Sequence, residues 1–173
     1  TVIDLHDPRR PTARGELQMP GFSSYLHPLS DSVLLGVGMG PGEQGGQGLQ
    51  LSLFDVGNPD RPARIANRVL DHAWSPAQHD HHAFLWWPAT NQLVLPYDQY
   101  AEGAQRTGAL VIPVDLKTGF GTQSDIHHFG RTVDRSEQIQ RALVADGRLL
   151  TLSQAGLLTS DLASLKERAW LAW

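Results

Sequence analysis

Phe54-Asp55-Val56-Gly57-Asn58-Pro59-Asp60-Arg61-Pro62 restates, 51 residues on, the opening stretch Ile3-Asp4-Leu5-His6-Asp7-Pro8-Arg9-Arg10-Pro11. An apolar residue, the Asp, an Asx-Pro pair, an Arg and a second Pro fall in register. A spacing of this size marks copies of one supersecondary unit, each unable to bury its apolar surface alone and made stable by stacking on its neighbours.

The repeat extends outward from there. Tyr25-Leu26-His27-Pro28 followed by Val33-Leu34-Leu35 returns 60 residues later as Leu85-Trp86-Trp87-Pro88 followed by Leu93-Val94-Leu95, so the second copy holds nine extra residues, between Pro62 and Ala83. Asp115-Leu116 and Asp161-Leu162 each follow an apolar run, which gives four Asp residues spaced by 51, 60 and 46. Units of roughly 40–50 residues match four-stranded propeller blades. The expected fold is therefore all-β, a β-propeller of four-stranded antiparallel blades. Three units and the start of a fourth fall short of the roughly four blades that close a ring, so the chain should cover about three to four blades of a larger one. The repeat divides one partial propeller domain, 1–173, into units near 1–48, 49–108, 109–155 and an incomplete 156–173.

Short apolar runs closed by Gly, Pro, Asn or Asp clusters predict thirteen strands, among them Arg14–Met19, Leu49–Val56, His82–Trp87 and Ala109–Leu116. Ala145-Asp146-Gly147 between two such runs is a tight hairpin signal. Leu162–Trp170 fits either a helix or a further strand. The Gly-rich run from Gly36 to Gly48 leads into a strand rather than a helix, which argues for a connecting loop and against a phosphate cradle. Leu51, Leu53, Val94, Leu110, Ile112, Leu149 and Thr151 are expected in the core. Blade faces at the ends of the set should be apolar and unpaired, to be covered by remaining N-terminal blades of the intact protein or by self-association.

Composition narrows the function classes. The formal charge is −4 and no Lys/Arg run occurs, so nucleic acid is not an expected partner. Without Cys there is no disulfide, thiolate metal site or Cys nucleophile. No run of 18 apolar residues exists and Thr1 opens directly into a strand, so neither a membrane span nor a signal peptide is expected within the chain.

The densest group of potential ligands is His79-Asp80-His81-His82. On an extended backbone His79 and His81 would share one face and Asp80 and His82 the other, each pair able to offer two ligands to Zn²⁺ or another divalent ion. The competing reading is a hydrogen-bonded polar corner packed on Trp74, Trp86 and Trp87. Asp4, Asp55, Asp115 and Asp161 pose a similar choice between a cation-binding carboxylate ring and four turn-closing residues that accept backbone N–H bonds, the reading their setting favours. His27, His127 and His128 have no partner at useful spacing and read as hydrogen-bonded interior or surface histidines. Gly21-Phe22-Ser23-Ser24 comes nearest to a nucleophile turn and lacks its second Gly. No catalytic set is completed.

The runs Gly21–Pro28, Leu34–Gly38, Gly48–Val56, Ser75-Pro76-Ala77, Asp80–Leu85, Ile139–Leu143 and Arg148–Ser153 together resemble the bacterial and archaeal secreted β-propeller domain family, in the order of its C-terminal portion. His82 stands where many relatives have a basic residue after Asp-His. The resemblance brings no catalytic residue and no cofactor. It implies an extracytoplasmic home, and the repeat architecture, the lack of a catalytic signature and this likeness together lead to the expectation of an exported, non-enzymatic binding or scaffold module that presents loops to a protein or glycan. The alternative is a divalent-metal-binding protein or metal-dependent enzyme built on His79, Asp80, His81 and His82.

Overall fold

A computed structural model describes residues 1–43, 45–132 and 134–173. Strands β1 (Ile3–Asp4) and β2 (Thr12–Ala13) form a short antiparallel pair. β3 (Phe22–Pro28), β4 (Val33–Pro41), β5 (Gln47–Asp55) and β6 (Ala63–Asp71) form the first blade, an antiparallel meander in chain order. The second blade centres on β9 (Gln92–Ala101) and β10 (Ala104–Asp115). β7 (Ala73–Trp74) and β8 (Leu85–Trp87) share the free side of β9, and β11 (Gly119–Phe120) and β12 (Ser124–Ile126) share that of β10. β13 (Ile139–Ala145), β14 (Arg148–Ser153), β15 (Gly156–Asp161) and β16 (Glu167–Ala172) form the third blade, again in chain order.

Alternation of side chains holds the blades together. In the second blade Leu93, Leu95, Leu110, Ile112 and Val114 point at the first blade, into a core shared with Leu35, Val37, Leu51 and Leu53. Their neighbours Val94, Ala109 and Val111 point the other way, onto Ile139, Leu149 and Leu158 of the third. A sheet buried on both faces needs apolar residues at consecutive positions, which is why these strands read as unbroken apolar runs. All seven residues expected in the core are at most 2% exposed.

The repeated motif turns out to mark a corner within each blade. Asp55, Asp115 and Asp161 end the third strands β5, β10 and β15, and Asp4 ends β1. Each accepts a hydrogen bond from the backbone N–H two residues on: His6 at 2.9 Å, Gly57 at 2.9 Å, Lys117 at 2.8 Å and Ala163 at 3.2 Å. The Asx-Pro pairs follow with matching turns, Arg10 N–H to Asp7 O at 2.9 Å and Arg61 N–H to Asn58 O at 3.0 Å. The sheets consequently span 22–71, 73–126 and 139–172 and are offset from the sequence units, whose edges at 48 and 108 fall inside β5 and β10.

Two local expectations are corrected and one left open is decided. Arg14–Met19 is a connector rather than a strand: Gly15 N–H is bound to Pro59 O at 2.8 Å, and this tie pins the chain against the first blade's corner. Leu162–Trp170 holds no helix, since Asp161 caps the turn through Ser164 N–H at 2.9 Å and the chain returns as β16 beside β15. Of the Gly-rich run, Gly36, Gly38 and Gly40 are buried in β4 and Gly48 in β5, with Gln44 outside the described residues. The hairpin at Asp146-Gly147 has φ of 49° and 68°, the positive pair a type I′ turn requires.

Candidate functional site

The nine extra residues of the second unit are absorbed where its first strand breaks. β7 pairs with Gln99 and Asp98 of β9, β8 pairs with Val94, Leu93 and Gln92, and the chain between them leaves the sheet in two 3-10 turns, Pro76–Gln78 and His81–Ala83. The first turn packs beside β3 of the first blade and the second beside β13 of the third, so the excursion bridges the first-strand edges of three blades. Ser75 starts it. Its Oγ, fully buried, donates to Pro96 O at 2.6 Å and accepts from Ala77 N–H, and Gln78 Oε1 accepts from Ser75 N–H at 3.0 Å, completing a capping box.

Asp80 starts the second turn, so the backbone of the His cluster is not the extended strand expected at His82–Trp87. Asp80 Oδ1 accepts from His82 N–H and from His82 Nδ1, both at 3.0 Å, while Oδ2 receives Arg141 of β13 at 2.7 Å. These bonds, His82 N–H first, hold the Asp80 carboxyl below its ordinary range. The rings of His81 and His82 lie 3.9 Å apart between centroids. Asp80, His81 and His82 bring one donor atom each to within 4.8 Å of one another. His79 is exposed and stands outside this group, closing the first turn through its N–H to Pro76 O. The 3-10 path thus joins Asp80 with both His81 and His82, where an extended chain would have separated His81 from them.

Beside this turn a recess of about 280 Å³ opens between the second and third blades, lined by Trp74, Asp80, Gln138, Gln140 and Arg141. Trp74 is 47% exposed and offers an indole face among polar groups. Gln138 donates to the buried carboxylate of Asp98, which fixes one wall. Its neighbour Tyr97 has its hydroxyl pushed up to about 12, chiefly by burial and then by Asp125. Sequence reading missed Arg141, on a strand 61 residues beyond Asp80, and Gln138, just ahead of that strand, neither with a local signal. Asp98 carried one: a carboxylate continuing the apolar run Leu93–Tyr97.

His27, His127 and His128 are bonded as expected. His27 Nδ1 meets Tyr25 OH at 2.9 Å, and His127 Nδ1 donates to Thr107 O at 3.0 Å. His128, 1% exposed, lies between Ser153 Oγ at 2.8 Å and Thr151 Oγ1 at 2.9 Å, with Trp170 edge-on. A Ser–His pair so buried offers no nucleophile to a substrate. Among the described residues, no helix is long and apolar enough to cross a membrane.

A family model described as a beta propeller domain matches residues 1–165. An uncharacterized protein of Methanocaldococcus jannaschii is 41% identical over 85 residues, which are 49% of this chain and 13% of that protein. An uncharacterized protein of Archaeoglobus fulgidus is 42% identical over 84 residues, again 49% and 13% of the two lengths. The matched segment is therefore a small part of either relative.

Proposed function

This chain belongs to the β-propeller domain family, and we propose on that footing that it forms part of an exported, non-enzymatic binding module whose excursion after Trp74 meets a glycan. The observation that carries this reading is the recess itself. A half-exposed indole gives the flat apolar surface on which the C–H face of a sugar ring packs, and Gln140, Gln138 and the Asp80–Arg141 pair stand around it as hydrogen-bonding groups. Gln138 is held by Asp98, Arg141 by Asp80 and the turn after Trp74 by the buried bonds of Ser75, which lowers the ordering left for binding. Export is supported by the resemblance to secreted propellers, and cell fractionation of the source organism tests it.

Titration of the chain with a panel of neutral and acidic oligosaccharides, followed by tryptophan fluorescence and by amide shifts of residues 74–82 and 138–141, tests the ligand class. Saturable shifts at Trp74 and Gln140 that Trp74→Ala removes are expected. A panel that moves none of them overturns the glycan reading, and shifts produced only by a captured protein replace it with a protein ligand.

A second reading rests on the 4.8 Å clustering of Asp80, His81 and His82 donors. Two imidazoles and a carboxylate suit Zn²⁺, with the remaining position free for water. Against it, Arg141 already neutralises the carboxylate. Elemental analysis of the purified chain and of His81→Ala decides it: stoichiometric metal lost in the variant supports the site, and no metal in the parent removes it.

A further inference from the structure

Trp74 of β7 lies directly opposite Asp98 of β9, and Asp98 directly opposite Thr107 of β10. Opposed residues of an antiparallel pair keep their side chains on one face, about 5 Å apart at Cβ, so the three form a row across the second blade. Val94, four residues before Asp98, packs on the third blade, and the row faces the same seam. Along it, beside the recess at Trp74, a second recess of about 320 Å³ opens. Asp98, Gln105 and Thr107 form one wall, and Thr132, Arg135 and Ser136, ahead of β13, form the other. Gln138 lines both recesses, which makes them two compartments of one cleft.

The second compartment is polar where the first offers an indole. Asp98 is 3% exposed, yet among the described residues Gln138 is the one donor to its carboxylate, on Oδ2, and Oδ1 is left facing the recess. A buried carboxylate oxygen without a donor is costly, and a ligand hydroxyl that donates to it removes that cost. The facing wall carries complementary groups. Thr132 Oγ1 and Ser136 Oγ accept from the N–H groups of Asp134 and Gln138, both at 3.3 Å, which leaves their own hydrogens for a ligand. Glu137 is already committed to the N–H groups of Gly130, Arg131 and Thr132. Asp98 and the exposed Arg135 therefore offset one another, and the recess joins one strong acceptor to several donors.

We propose that this compartment binds a neutral sugar ring, the neighbour of the ring that lies on Trp74, so that the ligand is an uncharged oligosaccharide of at least two units. A sugar hydroxyl both donates and accepts, and one that donates to Asp98 Oδ1 accepts in turn from Ser136 or Thr132. A uronate or sulfated unit would set its anion against Asp98. Each compartment takes one ring, with Gln138 between them. The inference rests on the glycan reading and adds to it a length, a charge and the residues that read them.

The test titrates the chain with glucose, mannose and galactose, with their two- to four-unit oligomers and with digalacturonate, following by NMR the indole N–H of Trp74 and, separately, the amides of Gln105, Thr107 and Ser136. A neutral disaccharide should move both sets and bind roughly tenfold or more tighter than its monomer, the factor expected for a hydrogen bond to a charged group. Asp98→Asn should remove that gain while the Trp74 shift persists. Gln105→Ala, at an exposed site outside the core, should lower it too, and keeps the test valid if Asp98→Asn unsettles the fold. Shifts confined to Trp74, with an affinity indifferent to length and to both substitutions, overturn this inference and leave the glycan reading standing. Digalacturonate bound in the Asp98 compartment as tightly as a neutral disaccharide overturns it as well. Shifts at Gln105 and Ser136 with Trp74 unmoved keep the Asp98 compartment as a sugar site and overturn the reading at Trp74, and no shift in either set removes both.

Discussion

Arg141 and Asp80, 61 residues apart in sequence, meet at 2.7 Å across the seam between the second and third blades. Both side chains are about two-fifths exposed, so the pair sets position more than stability. It also places a fixed cation on one oxygen of the carboxylate that a metal would use. If Zn²⁺ binds Asp80, His81 and His82, Arg141→Gln should tighten it by roughly tenfold, as expected when one competing charge leaves, while Asp80→Asn abolishes it. Calorimetric titration checks both, and an affinity indifferent to either change rules out this group as the site.

Leu95 and Leu35 are fully buried and face one another's blades in one core. Truncation of either to Ala should cost about 2–5 kcal/mol, the range for a large residue removed from a packed interior. Leu143, 47% exposed, should lose no more than about 0.5 kcal/mol on the same change. Urea denaturation of the three variants gives the comparison, and similar losses at all three sites would contradict the described packing.

His128 makes stability depend on pH. Burial above all, then the nearby Arg131 charge, lowers its pKa to about 4, while Glu137 and Glu167 pull the other way and His127 adds to the lowering. The unfolded chain binds the proton near pH 6.5. The neutral ring's contribution is therefore complete above that value and is lost as pH falls from about 6.5 towards 4. The carboxylates with lowered pKa values, Asp60, Asp80, Asp115, Glu137, Asp161 and Glu167, lose their contributions chiefly at the acid end of this window and below it. Melting temperatures of the parent should fall across it, and His128→Gln should flatten most of the slope. The part that remains belongs to His27, which burial also lowers.

Gly38 lies where β3 shifts register between Ser23 and Tyr25, and a Cβ there would run into Phe22 O and the Cα of Ser23. Backbone cannot yield as a side-chain tip does. Gly38→Ala should cost about 1–3 kcal/mol, read as a shift in denaturant midpoint at constant slope. An unchanged midpoint would mean that β3 does not cross β4 this closely.

The architecture was legible because its strongest signals are local and repeated. One Asp and one Asx-Pro pair write the same turn at Asp4 and Asp55, and consecutive apolar residues such as Leu93-Val94-Leu95 state that both faces of a sheet are covered. The phase of the repeat was not legible, since a motif at the third strand's end says nothing of where the first begins. The site was half legible. Asp80, His81 and His82 do converge, but through an N-capped 3-10 turn that the pattern alone did not distinguish from a strand. Arg141 of β13 and Gln138 just ahead of it arrive by tertiary packing and left no local trace.

Each complete sheet is drawn from one unbroken stretch, 22–71, 73–126 and 139–172. The pairings that define a blade therefore close short loops, the contacts that form fastest in a growing chain. As the polypeptide leaves the ribosome, the first sheet can assemble while the second is still being translated, and its apolar face then serves as the template on which the next one condenses. A substitution in the seam facing the third sheet, such as Val111→Ser, would then leave the two earlier sheets intact and release the last one as a nascent, protease-sensitive tail.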